Sequence, residues 1–473
     1  MTSNKSGKQN WASLLDALTL CILIVAMCSQ INLGDIGQDT TAKGYVTKQL
    51  KIALPDIALF ACFGWFFLRT TWLRAWKKLW WPPFPCWALI SALVVSALHS
   101  RPLLTPILES LAEAEGLKEM LKALLSAESK EAIAETIQFA GYFVIAPLLF
   151  VNLIHDRRLE IFLSRRKLAL RVFGATLVLV AIHALWQLLT AKPNLQMADA
   201  PHSLFGTTEI GSPNAYAAFI ALSLPLVLAR FLWDKHGAAW TIGLSVLSVV
   251  VFAATLVSPF ATLILLTALL LAGLLLRAPK RAVVALGLSA LLLLVIWPQQ
   301  IQLAPMRQEL WRVGSAQEKV RKQYVEWYVG ASRLGDQREA SFATGVGPGN
   351  YQINIGSYYS QLPNEEKMPP DSNNLYLVQA INIGLLGLGA LLWVLVHFAR
   401  IAWAARRQYP GDWLAQGVLA SLAAWLLVNC FHASIVRGTG IVLAFVLSLA
   451  VIAWQRDDEV ETAAGQSKSP VLP

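Results

Sequence analysis

The chain has 473 residues, of which 56% are hydrophobic and 14% charged, with 18 tryptophans and a formal net charge of +10. That proportion of apolar sequence excludes an ordinary water-soluble domain and points to a membrane protein. The positive charge does not signal nucleic acid, because it sits in alternate short connections, "RTTWLRAWKK", "HDRRLEIFLSRRK", "RFLWDK", "RAPKR" and "RIAWAARR", as cytoplasmic loops do.

About twelve apolar runs follow one another, close to the 18 to 25 residues that span roughly 30 Å of hydrocarbon, with the third and ninth shorter. They cover 11–33, 52–68, 85–98, 132–153, 168–189, 214–233, 239–257, 260–276, 283–297, 374–397, 414–431 and 436–454. The predicted fold is an all-α integral membrane protein with both termini in the cytoplasm. Asp16 and the absence of a small-residue cleavage site make the first run a retained helix, not a cleaved signal peptide. Residues 1–298 hold the first nine helices, with an amphipathic exterior segment near 102–130. A large, partly helical exterior loop occupies 299–372, the last three helices 373–455, and a polar cytoplasmic tail 456–473.

Cys21, Cys28, Cys62, Cys86 and Cys430 all fall in or at the edge of apolar runs, and the histidines lack metal-ligand spacing. Neither a disulfide framework nor a structural metal is expected.

Three exterior segments carry polar residues. In the first, Leu117, Met120, Leu121, Leu124 and Leu125 recur at helical spacing, as in an amphipathic helix on the membrane surface or one packed over the bundle. The second, "KPNLQMADAPHSLFGTTEIGSPNAYAAF", leads into a helix with Ser212 as cap and Pro213 in its first turn. It is either a plain helix-entry loop or a substrate-facing rim offering His202, Glu209 and Asn214. The third is the large loop, with Arg307, Arg312, Arg321, Lys322, Arg333 and Arg338. Arginines beside a bilayer suit the oxygens of a diphosphate; the competing reading is a solvated helix in which Glu318 pairs with Arg321 and Lys322 with Glu326. Its "GVGPGNY", 345–351, has no preceding strand and no βαβ context, so it reads as a reversing turn near the membrane and not as a nucleotide loop.

"GSPNAYAAF" opening a helix, a large basic exterior loop with a tryptophan ahead of "GVGPGNY", and then "NNLYLVQAINIGLLGL" opening the next helix resemble the O-antigen ligase and polymerase family. The resemblance covers roughly 200–454 in order and topology. It implies metal-independent glycosyl transfer, with no cofactor, at the periplasmic face of the bacterial inner membrane. The implied donor is a glycan on undecaprenyl diphosphate, and the implied acceptor is lipid A-core, a second lipid-linked repeat unit or, in some members, a protein. Membrane lipids and polysaccharide-assembly proteins are the implied further partners.

The chain departs from that family's pattern. Asn373 stands where the family has histidine, and an amide cannot act as a general base. Asn382 matches a common glutamate, Gln323 a common arginine ahead of Trp327, and Ser258-Pro259 a common Ser-Arg. Either another residue serves as base, with His432, Asp371, Glu326 and Glu209 as candidates, or leaving-group stabilisation carries catalysis. Loss of transfer, leaving an assembly subunit, is the third reading. The catalytic set is thus Asn373, His432, Glu326 and Asp371. The expected diphosphate ligands are Arg321, Lys322, Arg333, Arg338 and Arg437; Asn374, Tyr376, Asn214 and Glu209 would orient glycan or carrier. A polymerase of lipid-linked repeat units for a surface or exopolysaccharide is favoured over a ligase to lipid A-core, since the ligase-like histidine is missing. The rival from another class is a lipid-linked glycan transporter or flippase, which would show inverted repeats, broken helices or ionisable residues near the bilayer midplane.

Overall fold

Helix-spaced apolar residues and well-defined helix starts make the described residues almost wholly helical. The computed structural model describes residues 3–28, 32–36, 50–73, 76, 79–99, 127–155, 159–190, 213–233, 313–335, 339–351, 354–355, 374–410, 412–430, 433, 435 and 439–463. In chain order these form α1 (Ser3–Met27), β1 (Asn32–Ile36), β2 (Leu50–Ala53), α2 (Leu54–Trp72), α3 (Phe84–His99) and α4 (Ala127–Ala140). A π-helical turn (Gly141–Ile145) continues α4 into α5 (Ala146–Ile154), followed by α6 (Leu159–Thr190), α7 (Pro213–Trp233), α8 (Val313–Gly335) and α9 (Glu339–Thr344). The last three helices are α10 (Leu375–Gln408), α11 (Trp413–Val428) and α12 (Thr439–Ala463).

The first six and last three apolar runs coincide with helices; the seventh to ninth lie outside the described residues, as does most of the amphipathic segment near 102–130. Several boundaries shift: α1 starts at Ser3, α10 continues to Gln408 through "RIAWAARR", read as a connection, and α12 continues to Ala463, into the segment read as a polar tail. Leu33 and Ile52 belong to an antiparallel ribbon of β1 and β2, in which Gly34 faces Ile52 and Ile36 faces Leu50. The basic stretch ahead of residue 168, read as a connection, is already helical from Leu159. Two described helices are long and apolar enough to cross a membrane: Ala132–Ile154, which spans the π-turn, and Leu375–Gln408.

At the centre stands α12, buried at every position from Gly440 to Ala453. A helix apolar all round belongs inside other protein or lipid. The Phe445 ring lies 5.0 Å from that of Phe150 and 5.1 Å from that of Phe173. Gly440 abuts the Tyr142 ring so closely that any Cβ would collide with it.

The outer faces are apolar as well. On α1, Leu14, Leu18, Ile22 and Val25 are exposed at helical spacing, and on α10 so are Leu385, Leu386, Leu392, Trp393 and Val396. Apolar faces of this extent are a liability in water and fit hydrocarbon surroundings.

Charge enters the bundle at a few fixed points. Asp16, only 1% exposed, receives Arg69 at 2.7 Å and Arg165 at 3.1 Å. The Asp16 carboxylate thus ties α1 to α2 and α6, and Arg165 extends the joint by donating to Ser13 Oγ and to the Leu153 carbonyl of α5, each at 3.0 Å. Arg166 meets Asp412 at 3.5 Å, and Asp412 caps α11 by accepting from the Leu414 amide at 3.1 Å.

Candidate functional site

Helix α10 is broken near its entrance. Gly384 has φ 68° and ψ 179°, a conformation essentially restricted to glycine. Such a break deprives the carbonyls just before it of their usual helical partners, and buried carbonyls need replacements. The replacements come from the "GVGPGNY" loop and from α3. Val346 N donates to the Ile381 carbonyl at 2.9 Å; Gly347 N and Ser96 Oγ both donate to the Asn382 carbonyl at 2.9 Å.

The loop turns at 348–350, as its glycines suggest, and it is also bonded to the interior of α10, eight residues past Asn374, or roughly 12 Å along the axis.

The backbones of the two segments touch. A Cβ on Gly345, whose φ is 81°, would collide with the Asn382 carbonyl oxygen and approach Gly384 N to 2.5 Å. A Cβ on Gly384 would collide with the Ala343 carbonyl and approach Gly345 N to 2.6 Å.

Helix α8 covers this junction. Val329, Tyr351, Ile355 and Ile381 form a buried cluster, with Val325, Leu334, Val346 and Val378 packed against it. Gly330 lets α8 close on α10, its Cβ position lying 3.4 Å from Leu377 Cδ1. The described part of the large loop is therefore not a solvated helix on all sides: Glu326 is only 6% exposed.

Asn350 Oδ1 in the glycine loop and Gln379 Oε1 and Asn382 Oδ1 on α10 are buried amide oxygens without a hydrogen-bond partner. They can accept hydroxyl protons in hydrogen bonds, and Glu326 is a buried carboxylate that can take a proton. Among the described residues no group of three or more His, Cys, Asp or Glu side chains comes together as a metal-ligand set.

At the mouth of α10, Asn374 Oδ1 accepts from Tyr376 N at 3.0 Å and from Leu377 N at 3.1 Å, a helix N-cap. Tyr376 Oη donates to the Leu426 carbonyl at 2.7 Å, and Leu375 N donates to that of Asn429 at 3.0 Å, which fastens α10 to the end of α11. Asn374→Ala should therefore lower stability by about 1 kcal/mol, whereas Asn374→Asp keeps the capping oxygen and most of the stability. Thermal unfolding of the purified variants checks this. Equal losses in both would remove the cap as the reason for the asparagine.

Of the other expected site residues, Arg333 is half-buried on α8. Arg321 and Lys322 lie on α8 and Asn214 is the second residue of α7, with side chains outside the described residues. Glu209, Arg338, Asp371, Asn373, His432 and Arg437 lie outside the described residues. Sequence reasoning missed Ser96, Asn350 and Gln379. Ser96 sits in an unremarkable "VVSALH" and gives no local signal, while Gln379 and Asn350 were legible only as polar residues in apolar or glycine-rich surroundings. It also missed Asp56, which accepts from Tyr142 Oη at 2.9 Å and Gln138 Nε2 at 3.4 Å. The signal there was a carboxylate in the first turn of an apolar helix.

No family model matches the chain, and no curated protein matches it.

Proposed function

We propose that this chain is a polytopic inner-membrane glycosyltransferase of about twelve crossings that polymerises undecaprenyl-diphosphate-linked repeat units at its periplasmic face. One observation carries the reading: the glycine loop seated on the broken α10, under an α8 that buries Glu326. Lipid-linked donors require a site where a polar reaction meets the bilayer edge, and this junction combines buried polar groups with helices whose outer faces are apolar.

In the proposed reaction a hydroxyl of the acceptor glycan attacks the anomeric carbon of the donor. The new glycosidic bond forms as the carbon–oxygen bond to the diphosphate breaks, and undecaprenyl diphosphate leaves. Glu326 accepts the hydroxyl proton, in the role that Asn373 cannot fill. Arg333, with Arg321 and Lys322 on the same helix, neutralises the leaving diphosphate, joined by Arg338 and Arg437. The unpartnered amide oxygens of Asn350, Gln379 and Asn382 hold acceptor hydroxyls.

Glu326→Gln keeps the shape of the side chain and removes the base. Chain elongation in membrane vesicles supplied with the lipid-linked repeat unit should fall on the order of a hundredfold, the low end for a general base because leaving-group stabilisation supplies the rest. Glu326→Asp should retain part of the rate. Full activity in Glu326→Gln would remove this residue as the base.

A further inference from the structure

At the opposite end of α10, α6 presents Leu163, Arg166, Lys167, Leu170 and Arg171 as one helical stripe. With Arg230 of α7 and Trp413 of α11, this stripe lines a pocket of about 240 Å³. Four of the seven lining residues are cationic and none is acidic. Asp412 approaches from the side, 3.5 Å from Arg166, while Lys167 and Arg171 extend from the same stripe. The Arg230 guanidinium carbon lies 5.6 Å from the centre of the Trp413 ring, which holds that charge toward the pocket wall. Lys167 and Arg171 are exposed, whereas Arg166 is buried.

We infer that this pocket binds a phosphate group, and that the group belongs to the head of an anionic phospholipid. The cations supply the phosphate recognition. Leu163 and Leu170, alternating with them on the same stripe, supply an apolar wall that a free phosphate would not use. Basic pockets between membrane helices hold lipid head groups in this way, and tryptophan is favoured at the head-group level. The inference is independent of the transfer reaction, whose proposed site is at the other end of α10.

The test uses the full-length protein in detergent, titrated with phosphatidylglycerol, phosphatidylcholine or inorganic phosphate, with bound lipid read by native mass spectrometry. Phosphatidylglycerol should bind in preference to phosphatidylcholine. The double variant Lys167→Gln/Arg171→Gln should weaken phosphatidylglycerol binding on the order of thirtyfold, at about 1 kcal/mol per cation removed, and leave phosphatidylcholine binding unchanged. Both side chains are exposed, so folding should survive; Lys167→Arg/Arg171→Lys should restore binding. Unchanged phosphatidylglycerol binding in the glutamine variant overturns the site. Displacement of the lipid by an equal concentration of inorganic phosphate overturns the lipid assignment in favour of a soluble phosphate.

Discussion

Gly384→Ala is expected to destabilise the protein by about 2–6 kcal/mol, combining about 1–3 kcal/mol of backbone strain with about 1–3 kcal/mol of overpacking. The strain arises because φ 68° with ψ 179° is a conformation that side chains resist. The overpacking arises because the new Cβ would meet backbone, the Ala343 carbonyl and Gly345 N, and not a side chain that could swing away. Gly345→Ala should behave alike, for the mirror reason. The two changes should not add, since both push the same pair of backbones apart. Gly389, farther along α10, is the control. Nothing lies within 4 Å of its Cβ position, so alanine there should be neutral or stabilising by up to about 1 kcal/mol. Apparent melting temperatures of the three variants, measured in one detergent, decide the matter. Equal behaviour of Gly384→Ala and Gly389→Ala would mean that the loop does not press on the break.

Asp16→Ala is the second large effect, at about 3–5 kcal/mol, the usual consequence of leaving buried charge without its counterion. Removing this carboxylate strands Arg69 and Arg165, which approach it at 2.7 and 3.1 Å. Arg165 keeps its bonds to Ser13 and the Leu153 carbonyl, so part of the joint survives. Asp16→Asn should fall between wild type and alanine, because it retains an acceptor without the charge. The combination Asp16→Ala with Arg165→Met should recover much of the loss, since it removes a stranded cation together with its partner. If unfolding temperatures show no recovery, the carboxylate acts mainly through packing.

Much of the helical framework was readable from apolar run length alone, because burial against lipid or protein demands contiguous apolar sequence whatever the partners are. The long-range polar contacts were not. Arg165 and Arg166 lie in a basic stretch that local counting assigns to a solvent-exposed connection. Their carboxylates, Asp16 and Asp412, are far away in sequence, and only the tertiary arrangement turns those residues into helix and burial. The break in α10 was hidden for a related reason. "AINIGLLGLG" has the hydropathy of an unbroken helix, and none of its three glycines stands out from the others. What distinguishes Gly384 is the "GVGPGNY" backbone lying against it, a pairing across 39 residues that neither segment announces. Asn374 was legible as a polar entrance residue, and the structure gives it a cap's work. Glu326 was legible as an acid on a basic helix, and its burial follows from the apolar face that Val325 and Val329 share with it.

The junction of α8, the glycine loop and α10 is the centre of this account, and its chemistry is most directly tested with purified components. Wild-type protein, reconstituted in vesicles with a defined undecaprenyl-diphosphate-linked oligosaccharide and no added metal or nucleotide, should yield a ladder of longer lipid-linked glycans. One undecaprenyl diphosphate should be released for each repeat added. A correctly folded preparation that neither lengthens the glycan nor releases carrier from its own donor would contradict the transferase reading.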